Sequence, residues 1–416
     1  MAKYRHEGVM LLLEYPEYAK RWVGSIVSGL GNQLGWMALV WLVMELAGSA
    51  SSIGIVTLLY QLPQAIFAPL AGVVLDRYPR ARVMAIANFA LAVVFTCIPI
   101  VAMSLGQNGL WLICLLVAVA GIMMPFDTTG SGPLIADLIP SDRLSQANFL
   151  NQTIWQIVYL VGPAIGGVLI AWIGSNPLLF FDAATFLFLG VLMLTVAPTQ
   201  KQKLTVDQDL FRNLKGGISY LVQNRPLLSL AVLSLLFNLF YGPYLVLLPD
   251  LAKAQLGGST ALGLLWFAFS VGALGGGLIF SSKSWMYRLS ASLAAIIVLW
   301  GVVTIVLAYV TNRLWLACIT MFVGGLVFAP WGALVTTARQ RIVPSELQGR
   351  VFGASALITA AGTPVGAWLT GILLPSITPR SIFVISGIVT VCVGLTAVLW
   401  PALRGVDGSV REQQVM

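Results

Sequence analysis

Between residues 22 and 402 the chain alternates long apolar runs with short polar connections. Twelve runs can be drawn, at 22–46, 52–75, 83–105, 110–136, 144–173, 178–197, 227–249, 260–281, 291–311, 314–338, 351–374 and 381–402. A helix needs about 20 residues to cross a hydrocarbon layer of about 30 Å, and the runs match that length. The longer ones imply tilt or protrusion. Short strands of alternating polarity are absent, so the runs read as helices and not as the staves of a barrel. The expected fold class is an all-α integral membrane protein with twelve transmembrane helices.

The longest connection, 198–226, divides the runs into six and six. Within it Leu210, Phe211, Leu214, Ile218, Leu221 and Val222 recur at helical spacing, and Asp207 or Asp209 is placed to cap the start. A short amphipathic helix on the inner membrane surface is therefore expected. The halves resemble each other. LIPSDRLSQANFL precedes the fifth run and IVPSELQGRVFGA the eleventh; LVGPAIGGVLI in the fifth is answered by AGTPVGAWLTGILL in the eleventh. An offset near half the chain marks a repeated six-helix unit. The expected divisions are an N-terminal half 1–197, a linker 198–226, a C-terminal half 227–402 and a tail 403–416.

Composition agrees with the pattern. The chain is 58% hydrophobic and 9% charged, against about 25% charged in soluble proteins. Its net charge of +8 does not point to nucleic acid, because the charges sit in connections. As the runs are drawn, 20 Lys and Arg lie on the side of the two termini, 3 (Lys253, Arg313, Arg380) on the other, and none inside a run. The bias places both termini in the cytoplasm and the protein in the inner (plasma) membrane. Cys97, Cys114, Cys318 and Cys392 show no metal-ligand spacing. The first 21 residues lack the apolar core of a removable signal peptide. There is no G-x-x-x-x-G-K-[ST] loop and no H-E-x-x-H, and the sole histidine is His6 on the N-terminal tail. The expectation is a non-enzyme, without cofactor or metal, monomeric in a lipid bilayer.

Polar residues within the runs carry the candidate chemistry. Asn148, Asn151, Gln152, Trp155, Gln156 and Tyr159 form one helix face in the fifth run. Amides are costly in hydrocarbon, so this face should look into the bundle. Asn32, Gln33 and Trp36 of the first run, Gln61 and Gln64 of the second, Asn238, Tyr241 and Tyr244 of the seventh, Trp266 of the eighth and Trp331 of the tenth extend the set. The third, sixth, ninth and twelfth runs are nearly free of amides and indoles. Four acids lie in or beside runs: Glu45, Asp127, Asp182 and Asp250. Glu45, Asp182 and Asp250 are placed near outer ends, within reach of water. Asp127 stands ten residues from Asp137, about 15 Å into the membrane. Charge there is expensive and usually faces a cavity, although Thr128, Thr129 or Ser131 are near enough to satisfy a structural acid.

Between the second and third runs lies AGVVLDRYPRARVM, in which Gly72 is followed by Asp76, Arg77, Arg80 and Arg82. This resembles the loop signature of the major facilitator superfamily, G-x-x-x-D-R-x-x-R-x-R, with Pro79 where many members have glycine. The resemblance covers the whole chain: twelve spans, cytoplasmic termini, a long central loop and two related halves. It implies a central substrate cavity and a latch at Gly72, Asp76, Arg77, Arg80 and Arg82 that forms in one conformation and breaks in the other. The equivalent second-half loop, GLIFSSKSWMYRLS, keeps only Lys283 and Arg288. Gly162, Pro163, Gly166 and Gly167 resemble the core of the fifth-span signature of exporters; as residues alone they read as helix packing and a proline kink. WLVMELAGSASSIG and DLIPSDRLSQAN look most like the branch that includes macrolide-efflux and siderophore-export proteins.

These readings combine into a proton-coupled exporter of hydrophobic or amphipathic compounds. Asp127 is the expected coupling carboxylate and Glu45 the next candidate. The drawn runs place no Lys or Arg inside a span to neutralise Asp127, so a proton or a cationic substrate would do so. Export of an endogenous metabolite such as a siderophore or lipid is the alternative. A channel lacks a selectivity ring, and a non-transporting scaffold has no use for the polar face of the fifth run.

Overall fold

The computed structural model describes residues 10–197, 210–280, 289–344, 347–400 and 402–403. The expectations for Asp207, Asp209, His6, Lys283, Arg288 and nearly all of the tail fall outside the described residues. Every regular element among the described residues is helical. The helices are α1 (Pro16–Ala47), α2 (Ser51–Arg77), α3 (Arg80–Leu105), α4 (Leu110–Leu138), α5 (Leu144–Ile173), α6 (Ser175–Thr195), α7 (Leu210–Gln223), α8 (Arg225–Leu251), α9 (Ser259–Ile279), α10 (Leu289–Tyr309), α11 (Leu314–Phe328), α12 (Trp331–Ile342), α13 (Gln348–Ala360), α14 (Gly362–Leu373) and α15 (Pro379–Leu399). Among the described residues eleven apolar helical stretches are long enough to cross a membrane, one of them, Arg80–Leu138, being 59 residues long. That stretch turns back through a 3-10 turn, Gly106–Gly109, and holds the two crossings α3 and α4, so there are twelve.

Local chemistry sets the boundaries. Pro16, Pro226 and Pro379 stand in first turns, where the missing N–H costs nothing. The Asn224 side chain caps α8 by accepting from the Leu227 N–H, and Thr378 caps α15 by accepting from Ser381. Gly48 ends α1 at φ +66° and Gly174 separates α5 from α6 at φ +82°, conformations that favour glycine. The tenth span breaks into α11 and α12 at Pro330, and the eleventh into α13 and α14 just before Pro364. Proline removes a helical N–H and crowds the preceding turn.

The chain forms two compact units, residues 1–48 with 62–208 and residues 49–61 with 209–416. The second therefore includes the first turns of α2, where Gly54 lies against the Ala367 backbone of α14. Within the first unit α3 packs on α6, α1 on α5 and α3 on α4. Within the second, α10 packs on α15, α8 on α14 and α10 on α11. These are the same pairings under the half-chain offset, as a repeated six-helix unit requires. The linker helix α7 packs on α13, with Gly217 against the Arg350 carbonyl and Leu221 buried. Its exposed side carries Ile218 and Val222, consistent with an amphipathic helix.

Glycines make the tightest helix contacts, and the units differ in what those glycines meet. In the first, Gly24 faces the end of Leu189 and Gly162 the Gln33 side chain. In the second, Gly242 faces the Gly366 backbone, Gly362 the Leu235 carbonyl, Gly272 the Phe322 carbonyl and Gly325 the Phe269 carbonyl.

Candidate functional site

α1 starts several residues before the first apolar run, and this changes the site. The helix begins at Pro16, so Arg21 is helical, and it is buried at 3% exposure. Its guanidinium Nη1 lies 3.6 Å from Asp127 Oδ1. The expectation that no basic residue stands inside a span is thereby corrected. The apolar run hid Arg21, because it begins one residue later and the partner that buries Arg21, Asp127, lies on another helix far along the chain. Asn88 of α3 completes the cluster: its Nδ2 donates to Asp127 Oδ1 at 2.9 Å and to the Met84 carbonyl at 2.8 Å. Asn88 is fully buried in a span expected to carry almost no amides. The pairing is loose. Arg21 Nε and Nη1 and Asn88 Oδ1 form no hydrogen bond. A guanidinium kept dry and short of acceptors is costly, and its attraction to Asp127 is correspondingly strong.

A second ionic cluster ties the C-terminal ends of α2 and α4 to the start of α3. Arg80 Nη1 donates to both oxygens of Asp137, at 2.7 and 2.8 Å, and Nη2 to Asp76 at 3.1 Å. The loop motif thus supplies Asp76 and Arg80, while the main acceptor, Asp137, lies on α4 outside it. Arg77 and Arg82 are exposed. Gly72 is not a point of tight approach in this conformation: an added Cβ would find only the Thr129 methyl, at 3.9 Å. The close approach is at Gly130, whose Cβ would meet Met84 of α3 and Leu75 of α2 at 2.8 to 3.0 Å.

α5 changes its surroundings along its length. Asn148, Gln152, Gln156 and Tyr159 are exposed in its first half, with Asn151 and Trp155 half-buried beside them. Val158 and, further along the same helix, Gly162, Pro163, Gly166 and Gly167 are buried. Gly29 of α1 receives the Trp155 ring, and Gly166 meets Leu34 and Met37. α5 stays helical through Pro163. Asn32, Gln33, Trp36, Gln61 and Gln64 are all partly exposed, and Asn32 Nδ2 approaches the Met124 sulfur at 3.9 Å. Glu45 is exposed and accepts from the Trp41 indole at 2.7 Å on its own helix. Asp182 departs from expectation: it is fully buried, not open to water.

In the second unit the candidate aromatics belong to one cluster. Phe237 of α8 packs on Trp331 of α12 (ring centroids 4.3 Å apart) and stacks on Phe328 of α11 at 5.9 Å. Tyr241 lies 5.8 Å from both Trp300 and Phe328, and Phe269 of α9 stands edge-on to Trp300 at 6.0 Å and to Trp266 at 5.8 Å. The Tyr244 hydroxyl bonds Thr304 Oγ1 at 2.8 Å, and Asn238 donates to the Thr359 carbonyl at 2.9 Å. Trp331 is buried, and Tyr241, Trp266 and Asn238 are partly exposed. Trp300, buried in the ninth span, escaped sequence reading because a lone indole in an apolar helix gives no sign of the direction it faces.

Residues 21–356 match the family model described as Major Facilitator Superfamily. The chain is 24% identical over 393 residues to Macrolide efflux protein A of Streptococcus pyogenes, covering 93% of this chain and 96% of that protein. It is 27% identical over 394 residues to the Multidrug efflux pump Tap of Mycolicibacterium fortuitum, covering 92% and 95%. Among solved structures, a bacterial homologue of the iron transporter ferroportin in an inward-facing state superposes with a TM-score of 0.70 at 17% identity, over 94% of this chain and 98% of that one.

Proposed function

This chain belongs to the Major Facilitator Superfamily, and from that premise we propose that it exports hydrophobic or amphipathic small molecules, drugs among them, in exchange for protons. The family is one of membrane transporters, and this chain is a multi-pass member. Export is suggested by the two relatives named as efflux proteins. The observation that carries the reading is the α5 surface: amides and a tyrosine are exposed in its first half, while further along the helix packs on α1 through Gly162 and Gly166. Such a surface in an apolar helix suits an aqueous path for a partly polar ligand. Tyr241, Trp266, Trp331 and Asn238 supply an aromatic and amide surface in the second unit, fit for flat or cationic organic compounds.

Proton coupling is assigned to Asp127, with Glu45 as the second carboxylate. Arg21 refines the step. A proton arriving on Asp127 cancels the attraction that holds Arg21, and departure of the proton restores it. Arg80 with Asp137 and Asp76 is the latch, made in this conformation. The chain acts as a monomer in the inner membrane with both termini cytoplasmic, and its halves are 1–197 and 227–402, joined by the linker 198–226. Reconstitution in proteoliposomes tests this: an imposed pH gradient should drive uptake of a labelled macrolide into vesicles acidic inside, and Asp127→Asn should remove the pH dependence. Equal uptake with and without the gradient overturns proton coupling. No uptake of any lipophilic drug under either condition overturns drug export.

A further inference from the structure

Asp182 lies in the third turn of α6 and is fully buried. Its carboxyl rests on the backbone of α1 at Gly31 and Gly35, where an added Cβ would collide with Asp182 or Thr185. Among the described residues the one side-chain contact to it is Thr185 Oγ1, 3.4 Å from Oδ1, whose single proton has a shorter bond to the Asp182 main-chain carbonyl at 2.7 Å, and Oδ2 has no hydrogen-bond partner.

No cation stands near. On α1 the charged residues are Glu17, Lys20, Arg21 and Glu45. Gly31 is ten residues from Arg21 and Gly35 ten from Glu45, each about 15 Å along the helix. On α3 the charged residues are Arg80 and Arg82, both at its start, and the other titratable group is Cys97. α3 meets α6 near this level through Phe95 on Phe186, with ring centroids 5.3 Å apart. α5 carries no charged residue and one tyrosine, Tyr159. An ionised carboxylate here would be dry, unpaired and short of donors.

The second unit shows what the position does when it is satisfied. Offset by 204 residues, Asp182 becomes Ser386 and Gly190 becomes Gly394. The offset holds structurally, because Gly190 packs on Phe89 of α3 and Gly394 on Val298 of α10, the equivalent helix. Ser386 is also buried, and its hydroxyl donates to the Phe240 carbonyl of α8, the counterpart of α1, at 3.3 Å. The role at this seam is that of an O–H donor toward the neighbouring main chain. A carboxyl group fills it only with its proton in place.

We propose that Asp182 is an intramembrane proton-binding site, carried as the neutral acid, whose O–H faces the α1 backbone and holds α1 to α6. It is separate from Asp127, and it stands whether or not transport is coupled to protons. Unlike Ser386, this donor is removable: a proton lost while water reaches the seam leaves a charge that must be hydrated, and α1 and α6 part.

Infrared spectroscopy of the purified protein in lipid nanodiscs tests this. Wild type labelled with carbon-13 at the aspartate carboxyl should show a protonated-carboxyl stretch at neutral pH that shifts with the label. The band should vanish in Asp182→Ser, which copies the second unit, and in Asp182→Asn, and persist in Asp250→Asn. Asp182→Ser should melt within a few degrees of wild type, and Gly35→Ala should melt far lower. Absence of a protonated aspartate band in wild type overturns the proposal whether or not any variant folds, and so does a band unchanged in either Asp182 variant. Loss of proton-driven uptake has no bearing on the infrared result, so failure of the transport reading and failure of this one are told apart.

Discussion

Where α1, α3 and α4 meet in the first unit, they contribute Arg21, Asn88 and Asp127. The equivalent helices of the second unit, α8, α10 and α11, contribute Phe237 and Tyr241, Trp300, and Phe328. One junction is held by a charge pair and an amide, the other by ring packing worth about 0.5–1.5 kcal/mol per pair beyond burial. The energy of the first depends on charge. That of the second does not, because dispersion is indifferent to pH. A transporter with one responsive and one inert half can take its driving ion on one side of the repeat and keep the other as an aromatic surface for cargo.

The contrast is most sharply broken at Arg21. Arg21→Ala leaves Asp127 without its cation and should cost about 3–5 kcal/mol, the usual penalty for removing one partner of a buried pair. Adding Asp127→Asn should recover much of that loss in thermal melts. If the double variant melts no higher than the single one, the pair does not hold the junction. Asp127→Asn alone should fold, bind neutral compounds and lose proton-driven uptake, measured as substrate-induced proton release in weak buffer. Release equal to wild type moves coupling to Glu45.

The latch gives a graded effect. Asp137 is shielded and takes both bonds from Arg80 Nη1, whereas the Asp76 side chain is 53% exposed. Asp137→Asn should therefore impair transport more than Asp76→Asn, whose effect on stability should stay within about 1 kcal/mol. The reverse order in uptake assays shows that the exposed acid, not the shielded one, governs the latch. Cysteine at Gln152, in a cysteine-free background, should react with an impermeant thiol reagent, and cysteine at Val158 should not. Equal labelling removes the reading of Gln152 as a cavity-lining position. The smallest effect is expected in the aromatic half. Tyr244→Phe loses one buried hydroxyl bond while Thr304 keeps its bond to the Trp300 carbonyl, so about 1 kcal/mol should be lost at every pH. A pH-dependent loss contradicts the inertness of that half.

What the sequence made legible follows from periodicity. The spans, the linker helix and the face of α5 all repeat over several turns, and repetition fixes direction. Arg21, Asn88, Asp137, Asp182 and Trp300 are single polar or aromatic positions. Their meaning depends on helix rotation and on partners dozens of residues away, and neither leaves a mark in local spacing. Asp182 and Asp250 look alike in sequence, yet one is sealed against two glycines and the other is half open. Gly72 misleads in the opposite sense, since a motif glycine invites a packing role that Gly130 fills here.

The glycine seams bear on how the two halves diverge. In the first unit a side chain gained at Gly24 presses on the end of Leu189, which can turn aside. In the second, gains at Gly242, Gly272, Gly325 or Gly362 strike main-chain atoms, which cannot. A deep mutational scan should show a tolerated column at Gly24 and blank ones at the four glycines of the second unit.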